Sequence, residues 1–361
     1  MAGREQTLLV TSDLGRTLTT GAAIGDGEAS ADWREFDLGA WDGMRPEEIR
    51  RRYPDLESER FGSGDFQPEG GERFSDFTER VCGAFDAVVG RIDDGERATV
   101  VTHGGVIQTI VGSLVGAIDQ SAMLVPSNAS LTTIRIVDGH RDVFAYNDDL
   151  HLDGDAARPS GTRLRLIRHG QTEANLEHRW WGRGETPLTA AGRRQAAALA
   201  DVGTSFDEIV SSPSSRAQET AAAAAARNGA MLQVVDDLAE LHFGAWEGLT
   251  GPEAKAADPD AFRRIFEEGR DEPRGRTGES FAAAGDRFGE AATAIAADGR
   301  GLVGVFTHGG VTRAYVAGLL GIPFEKRDVL PIQRNTAHSE IIYGASGPRI
   351  SSYNVAAHLG D

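Results

Sequence analysis

The stretch Leu164-Arg165-Leu166-Ile167-Arg168-His169-Gly170-Gln171-Thr172 starts as an apolar, strand-like run and ends in a turn that contains an Arg-His-Gly triplet. If the run is a strand of an open parallel α/β sheet, His169 lies at its carboxyl end, where such sheets bind their ligands. An imidazole titrates near neutral pH and can act as a nucleophile on phosphorus. The guanidinium of Arg168 presents a planar set of donors that matches phosphate oxygens. Taken alone, the triplet also fits a purely structural turn.

The sequence contains an internal repeat, which divides it into two related copies. The interval in sequence from Glu35 to His103 is identical to the interval from Glu240 to His308. Four matched segments follow the same order in the two copies: 11–16 with 211–216, 35–43 with 240–248, 102–106 with 307–311, and 146–152 with 353–359. We therefore predict two tandem domains of one kind, residues 1–152 and residues 162–361, joined by a small polar linker at 153–161.

Copy two alternates strand-like and helix-like segments. After the strand at 163–168, a helix is expected to begin with Thr189 as its N-cap. Ser212 followed by Pro213 resembles a second helix start, and a buried strand is expected at 301–307. This alternation predicts an α/β fold with a mainly parallel central sheet and helices on both faces.

The composition of the 361 residues, 40% hydrophobic and 25% charged, is typical of a globular protein. The net charge of −18 argues against a nucleic-acid-binding surface. No apolar run has the length of a membrane span, and the first ten residues lack the apolar centre of a signal peptide. Cys82 is the single cysteine, which excludes an intramolecular disulfide and a cysteine-based metal site. We therefore expect a cytoplasmic protein with neither a nucleic-acid nor a membrane partner.

The histidines outside the repeated catalytic-type motifs show no metal-ligand spacing. They are His140, His151, His178, His338 and His358. His242 lies close to Glu240, but copy one has Asp37 at the matching position, so we interpret His242 as a packing residue. We expect neither a metal ion nor another cofactor.

Copy two resembles the histidine phosphatase, or phosphoglycerate mutase-like, superfamily. The resemblance covers nearly all of residues 162–361 and, more weakly, residues 8–152. Each motif alone is common, whereas the full set in this order is highly specific. The motifs are Arg168-His169-Gly170-Gln171-Thr172 with Asn175, the segment 182–192, and the repeated segments 211–216, 240–248 and 307–310. The resemblance implies a phosphoric monoester hydrolase that acts on a small phosphorylated metabolite.

The resemblance also implies a role for each matched residue. His169 would be the nucleophile that forms a phosphohistidine and releases the alcohol. Glu240 would protonate the leaving oxygen and then deprotonate the attacking water. Because a phosphoryl dianion repels a nucleophile unless its charge is neutralised, the other matched residues would bind its oxygens. They are Arg168, Arg216 and His308 as clamping groups, Asn175 as a hydrogen-bond donor, and the backbone N–H groups that follow Gly309 at a helix start.

Three features leave alternatives open. Mutases of the superfamily resemble this core but carry a longer insertion between the acid and the second histidine, so the short interval from Glu240 to His308 favours a phosphatase over a phosphoglycerate mutase. Trp180 and Trp181 stand where related phosphatases often carry a polar residue. They form either a packed lid or an aromatic wall of the substrate site.

Six basic residues lie in the segment between Glu240 and His308. They either attract a phosphorylated metabolite or form a solvated helix face: Lys255, Arg263, Arg264, Arg270, Arg274 and Arg276.

Copy one retains Arg16, Glu35 and His103, but the part of copy two that carries the Arg-His-Gly strand has no counterpart in it. Copy one is either a non-catalytic binding or structural module, or an enzyme domain whose N-terminal part is missing from this sequence. We favour the second explanation because three catalytic positions are kept. A pseudo-dimer of the two copies is one packing compatible with the repeat.

Overall fold

The computed structural model describes residues 6–54, 65–116, 120–152, 160–298 and 301–359. The chain divides into two compact units, Met1–Gln120 and Ser121–Asp361. The units do not coincide with the two sequence copies, because residues 121–152 of copy one belong to the second unit. Most of the linker predicted at 153–161 lies outside the described residues.

The first unit contains a three-stranded parallel sheet with the order β2-β1-β3. Its strands are β1 (Gln6–Ser12), β2 (Glu28–Ser30) and β3 (Arg97–Val101). Its helices are α1 (Gly15–Ala22), α2 (Pro46–Arg52), α3 (Phe74–Val89) and α4 (Gly104–Val115). The aromatic part of its core is centred on Phe36, whose ring packs at an edge-on angle against Phe66, Phe74 and Phe77.

The second unit contains an eight-stranded sheet. Its strands are β4 (Leu131–Val137), β5 (His140–Asp148), β6 (Thr162–Arg168), β7 (Glu208–Ser211), β8 (Leu232–Val234), β9 (Leu302–Thr307), β10 (His338–Gly344) and β11 (Gly347–Val355). Their order is β4-β5-β11-β10-β6-β9-β7-β8. β6, β9, β7 and β8 are parallel, whereas two hairpins add four antiparallel strands at one side. The α/β class is confirmed, and the sheet is mixed.

The helices of the second unit follow the predicted alternation. They are α5 (Glu173–Leu176), α6 (Ala190–Asp201), α7 (Ser215–Asn228), α8 (Gly251–Ala257), α9 (Pro259–Phe262), α10 (Phe281–Asp298) and α11 (Gly309–Leu319). Thr189 caps α6 by accepting a hydrogen bond from the N–H of Gly192, as predicted. The prediction that a helix starts at Ser212 and Pro213 is wrong. Ser214 is the N-cap of α7, because the Ser212 hydroxyl lies 2.7 Å from Nε2 of His308 instead of capping the helix.

Strands β6 and β9 form the centre of the second unit. Leu164, Leu166 and Ile167 of β6 are fully buried, and each such side chain contributes on the order of 1.5–3 kcal/mol by leaving water. The charged residue within this apolar run, Arg165, is also buried and forms a 2.9 Å ion pair with Glu340 on β10. Since β6 is covered on both faces and paired on both edges, its carboxyl end is held rigidly beside that of β9.

Candidate active site

Three predicted site residues follow the carboxyl ends of neighbouring strands. His169 directly follows β6, His308 directly follows β9, and Arg216 lies in the first turn of α7 after β7. Arg168 pairs with Thr307 in the parallel register, which sets the two histidines side by side. Their ring centroids are 5.2 Å apart at an interplanar angle of 66°. The fold thus brings together residues that are far apart in the sequence.

His169 is held in one tautomer. Its Nδ1 lies 2.7 Å from the carbonyl oxygen of Gly170, which can only accept, so Nδ1 carries the proton and Nε2 keeps its lone pair. The side chain is buried. Burial, reinforced by the charges of Arg216 and Arg168, holds the pKa of His169 well below its usual range. The residue is therefore a neutral imidazole with a free lone pair at neutral pH.

Two guanidinium groups are fixed near His169. Arg168 donates from Nη1 to the carbonyl oxygen of Gln333 over 2.6 Å, while its buried Nε has no hydrogen-bond partner among the described residues. Arg216 is 1% exposed and donates to the backbone carbonyls of Trp181, Gly182 and Gly184 over 2.9–3.2 Å. Burial lowers the pKa of Arg168 to about 10, which still leaves the group charged at neutral pH. Positive charge is therefore concentrated in a buried space.

His308 is anchored through one ring nitrogen. Its Nε2 lies 2.7 Å from the Ser212 hydroxyl, whereas its buried Nδ1 has no partner in the part of the chain that the structure describes. Burial, followed by the charges of Arg216 and neighbouring groups, holds the pKa of His308 well below its usual range. This environment favours a neutral His308 that acts as a hydrogen-bond donor over a cationic one. The sequence motif around Ser212 gave no sign of this contact.

Asn175 is oriented by a residue that the sequence did not reveal. The side-chain oxygen of Asn175 accepts hydrogen bonds from the N–H of Thr172 and from Nδ2 of Asn335, each over 3.1 Å. Nδ2 of Asn335 also lies 3.0 Å from the carbonyl oxygen of His169. With its oxygen engaged, Asn175 can offer its amide N–H groups to a ligand. Asn335 lies in a loop after α11 and belongs to none of the repeated motifs, so no sequence signal pointed to it.

Glu240 lies at the N-terminus of α11. Its carboxylate accepts hydrogen bonds from the N–H groups of Gly310 and Val311 over 2.9 and 2.7 Å, and from its neighbour Leu241 over 2.8 Å. A Cβ atom at Gly310 would lie 2.7 Å from Oε1 of Glu240, so only glycine allows this approach. The second glycine of the Thr-His-Gly-Gly motif therefore serves to seat the carboxylate.

This seating changes the interpretation of the helix start. From the sequence, the N–H groups after Gly309 were expected to bind the substrate phosphate. In the structure the N–H groups of Gly310 and Val311 donate to Glu240 instead. Gly309 itself lies against Arg168, because a Cβ atom there would be 3.1 Å from Cδ of that arginine. The helix N-terminus thus positions the carboxylate of Glu240, and its N–H groups at Gly310 and Val311 are already engaged.

The two tryptophans have different surroundings. The Trp180 ring stacks on Phe243 and Phe262 at centroid distances of 5.5 and 6.5 Å and also packs near Trp246. Trp181 contributes its backbone carbonyl to Arg216. These contacts favour the packed-lid interpretation for Trp180, and they give the polypeptide at Trp181 a role in holding the arginine.

The basic residues considered as a rim are all paired with carboxylates. Because an ion pair cancels most of the field of its arginine or lysine at a distance, the contacts of the five accessible residues favour a solvated face over a substrate-attracting rim. Arg274 is buried and belongs to neither. The pairs are Lys255–Glu267, Arg263–Glu268, Arg264–Glu272, Arg270–Glu268, Arg274–Asp271 and Arg276–Asp258.

The described residues show neither a metal-type cluster nor a membrane-spanning helix. Across residues 6–54, 65–116, 120–152, 160–298 and 301–359, no group of three or more His, Cys, Asp or Glu side chains could hold a metal ion. Within the same residues, no helix has the length and apolarity needed to cross a membrane.

The retained residues of copy one also lie together, in the first unit. Nε2 of His103 is 3.0 Å from the Ser12 hydroxyl, and Nε of Arg16 is 3.2 Å from its Nδ1. Glu35 accepts a hydrogen bond from the N–H of Gly105 over 3.0 Å. The first unit therefore contains the counterparts of His308, Arg216 and Glu240 in one place.

Comparison with known proteins agrees with this geometry. The family model described as the histidine phosphatase superfamily (branch 1) matches residues 1–149 and 164–356. The chain therefore belongs to the histidine phosphatase superfamily. The two separate matched segments correspond to the two sequence copies.

Individual relatives match parts of the chain. A bifunctional protein of Mycobacterium tuberculosis is 46% identical over 129 residues, which are 35% of this chain and 35% of that protein. A glucosyl-3-phosphoglycerate phosphatase of Mycolicibacterium vanbaalenii is 38% identical over 179 residues, 46% of this chain and 78% of that enzyme. The structure of YhfR from Bacillus stearothermophilus is 29% identical with a TM-score of 0.52, covering 55% of this chain and 99% of YhfR. The matched region thus spans about a third of the length of the bifunctional relative.

The two buried histidines should make the free energy of unfolding depend on pH. Below the ordinary histidine pKa of about 6.5, an unfolded chain binds protons that His169 and His308 do not bind in the fold. The free energy of unfolding should therefore decrease as the pH is lowered. Each group accounts for about 1.4 kcal/mol per pH unit. His308→Asn should therefore lower the slope by about that amount between about pH 5.5 and 4.5, as measured by denaturant titration.

Ser212→Ala is the matched control, because it removes the hydrogen bond to His308 and keeps the titrating ring. The slope should persist in that variant. An unchanged slope in His308→Asn would contradict the assignment of a buried neutral imidazole.

Proposed function

We propose that the chain hydrolyses the phosphomonoester of a small metabolite through a phosphohistidine at His169. The observation that carries this proposal is the 2.7 Å hydrogen bond from Nδ1 of His169 to Gly170, which leaves the lone pair on Nε2. Arg168 and Arg216 are close enough to lower the pKa of the same imidazole. A neutral nitrogen nucleophile beside two guanidiniums suits attack on a dianionic phosphoryl group.

In the first step Nε2 of His169 attacks phosphorus, and the bond from phosphorus to the ester oxygen breaks. The electron pair of that bond goes to the leaving oxygen, which takes a proton from Glu240 and departs as the alcohol. Arg168 and Arg216 balance the charge on the non-bridging oxygens as the phosphoryl group transfers. His308 donates a hydrogen bond to the same group.

In the second step a water molecule attacks the phosphohistidine. Glu240, now a carboxylate, takes a proton from that water, and the bond between phosphorus and nitrogen breaks. Inorganic phosphate and neutral His169 are regenerated. The three backbone N–H groups that bind the Glu240 carboxylate support this proposal, because they fix one residue for both proton transfers.

The substrate class rests on the relatives and on the charge distribution. The name of one relative gives glucosyl-3-phosphoglycerate as its substrate, and we extend only the general class, a small phosphorylated metabolite. Because the nearby surface arginines are ion-paired, selection of substrate falls to the buried groups. A cytoplasmic location and a pseudo-dimer of the two copies stay predictions.

The second candidate function is phosphoryl transfer of the phosphoglycerate mutase type. The short segment between Glu240 and His308 favours hydrolysis, since it leaves less chain to shield a phosphohistidine from water. With 3-phosphoglycerate and a bisphosphate primer we expect release of inorganic phosphate or no reaction, measured by phosphate assay and by product chromatography. Rapid interconversion of 2- and 3-phosphoglycerate would favour the mutase.

His169→Ala should lower hydrolysis of an aryl phosphate by roughly 10³-fold or more, because alanine can neither attack phosphorus nor carry the phosphoryl group. Steady-state release of the phenol measures this loss. The exposed His140→Ala is the control and should retain activity. A chelator should leave the wild-type rate unchanged, and loss of the rate on chelation would overturn a mechanism carried by these residues alone.

Glu240→Gln should slow hydrolysis of alkyl phosphates by on the order of 10²–10⁴-fold, because glutamine preserves size but cannot supply a proton. Aryl esters with good leaving groups need less protonation, so their first step should be affected less. Single-turnover rates for a matched alkyl and aryl pair separate the two effects. Equal losses for both esters would indicate that Glu240 acts only in positioning.

A further inference from the structure

The first unit preserves part of the geometry of the candidate active site, because three of its side-chain hydrogen bonds have direct counterparts in the second unit. The shared pattern is a histidine bound to a serine hydroxyl, a glutamate bound to the N–H of the second glycine, and a threonine bound to a backbone carbonyl. The matched pairs are His103–Ser12 with His308–Ser212, Glu35–Gly105 with Glu240–Gly310, and Thr102–Trp33 with Thr307–Leu238.

Support for the acid is preserved as well. Arg80 makes two hydrogen bonds to Glu72 over 2.8–2.9 Å, as Arg287 does to Glu279 over 2.7–3.0 Å in the second unit. Each arginine also donates to backbone carbonyls just before its catalytic-type glutamate. A unit that only packed against another protein would not require this duplicated scaffold.

Among the described residues of the first unit, no strand or helix takes the place that β6 and α6 have in the second. β9 lies between β6 and β7 and is buried throughout, whereas its counterpart β3 is at the edge of the three-stranded sheet and is only half-buried. Thr20 on α1 is exposed, although its counterpart Thr220 on α7 is buried. Ile24, two residues beyond the end of α1, is 49% exposed and presents an apolar side chain that a packed helix could cover.

Thr220 shows what the exposed threonine would contact. Its hydroxyl accepts a hydrogen bond from the N–H of Gly170 in the Arg-His-Gly turn over 3.0 Å and donates to the carbonyl of Arg216 over 2.7 Å. In the first unit the Thr20 hydroxyl keeps the second contact, to the carbonyl of Arg16 over 3.1 Å. The hydroxyl oxygen of Thr20 can therefore accept a hydrogen bond from a glycine N–H, as that of Thr220 does.

The hydrogen bonds of Arg16 differ from those of Arg216, because the segment that supplies carbonyl acceptors to Arg216 has no counterpart in copy one. The three carbonyls that hold Arg216 belong to Trp181, Gly182 and Gly184, within the part of copy two that has no counterpart in copy one. Arg16 is exposed and donates instead to Nδ1 of His103 over 3.2 Å. The corresponding Nδ1 of His308 has no partner among the described residues.

We propose that the first unit binds a polypeptide segment with the pattern of residues 162–201: a parallel strand that ends in Arg-His-Gly, followed by a helix. The strand would pair with β3 in the register of β6 with β9, so that the counterparts of Leu164 and Leu166 lie beside Ala98 and Val100. Addition of a strand to a sheet edge supplies main-chain hydrogen bonds. The helix would cover Ile24.

Binding would complete a second phosphatase site, and this part of the proposal rests on the function proposed above. Nε2 of the histidine in the segment would attack phosphorus, Glu35 would protonate the leaving oxygen, and water would then release phosphate with Glu35 as base. New carbonyls from the segment would draw Arg16 away from Nδ1 of His103. The site would then present the same groups as the second unit.

The experiment uses the full chain carrying His169→Ala and, as the probe, a synthetic peptide of sequence 162–201. Hydrogen exchange of the amides at 97–101 should slow when peptide is added, since these amides belong to the strand that gains a neighbour. Phosphatase activity should rise roughly tenfold or more above the His169→Ala background, because a histidine nucleophile is restored. The gain should disappear with a peptide that carries alanine at the histidine, and with His103→Ala added to the chain.

Two surface variants test the location of the peptide. Ile24→Glu should weaken binding, because the peptide helix would then bury a charge. Met231→Glu, at an 85% exposed position of the second unit, should leave binding unchanged. Equal effects of the two variants would place the peptide elsewhere and overturn the proposal.

Unchanged exchange at 97–101 would overturn the docking of a strand on β3. Slowed exchange without any gain of activity, while the wild-type chain is active, would overturn completion of a second site. The wild-type assay tests the proposed function separately, because its nucleophile is already present in the second unit. Exchange at 97–101 is independent of activity and decides the docking in either case.

Discussion

The candidate active site depends on the parallel pairing of β6 with β9. The register that places Arg168 opposite Thr307 also sets His169 and His308 side by side, with ring centroids 5.2 Å apart. A one-residue shift would turn every side chain of the shifted strand to the opposite face of the sheet and separate the two rings. The buried residues of β6 make such a shift costly, since Leu164 and Leu166 would exchange faces with Arg165 and break its ion pair with Glu340.

Burial determines the electrostatic properties of the site, and it also costs free energy. Two imidazoles and two guanidiniums are removed from water without enough carboxylates to balance them, so the histidines stay neutral and their pKa values fall. The arginines stay charged because backbone carbonyls of Gln333, Gly182 and neighbouring residues accept their hydrogen bonds. A phosphate dianion would supply the missing negative charge. Substrate binding and the stability of the folded site are therefore coupled.

The two units show what a single segment contributes. Where residues 162–201 are present, Arg216 is buried and anchored to carbonyls; in the first unit, Arg16 is exposed and contacts His103. The glutamate and serine contacts, by contrast, are the same in both units. The glutamate and the histidine of each unit therefore take their positions from the local fold. Arg216 takes its position from the segment that carries His169.

The sequence alone determined the family, the repeat, and the candidate residues His169, Arg168, Arg216, Glu240 and His308, because each stands in a short motif whose spacing reflects local chain geometry. Tertiary structure decided what lies between motifs. Asn335 reaches Asn175 across 160 residues, Ser212 contacts His308 instead of capping a helix, and the N–H groups after Gly309 bind Glu240. Hydrogen bonds of this kind depend on distances in space between segments remote in sequence, which no local pattern records.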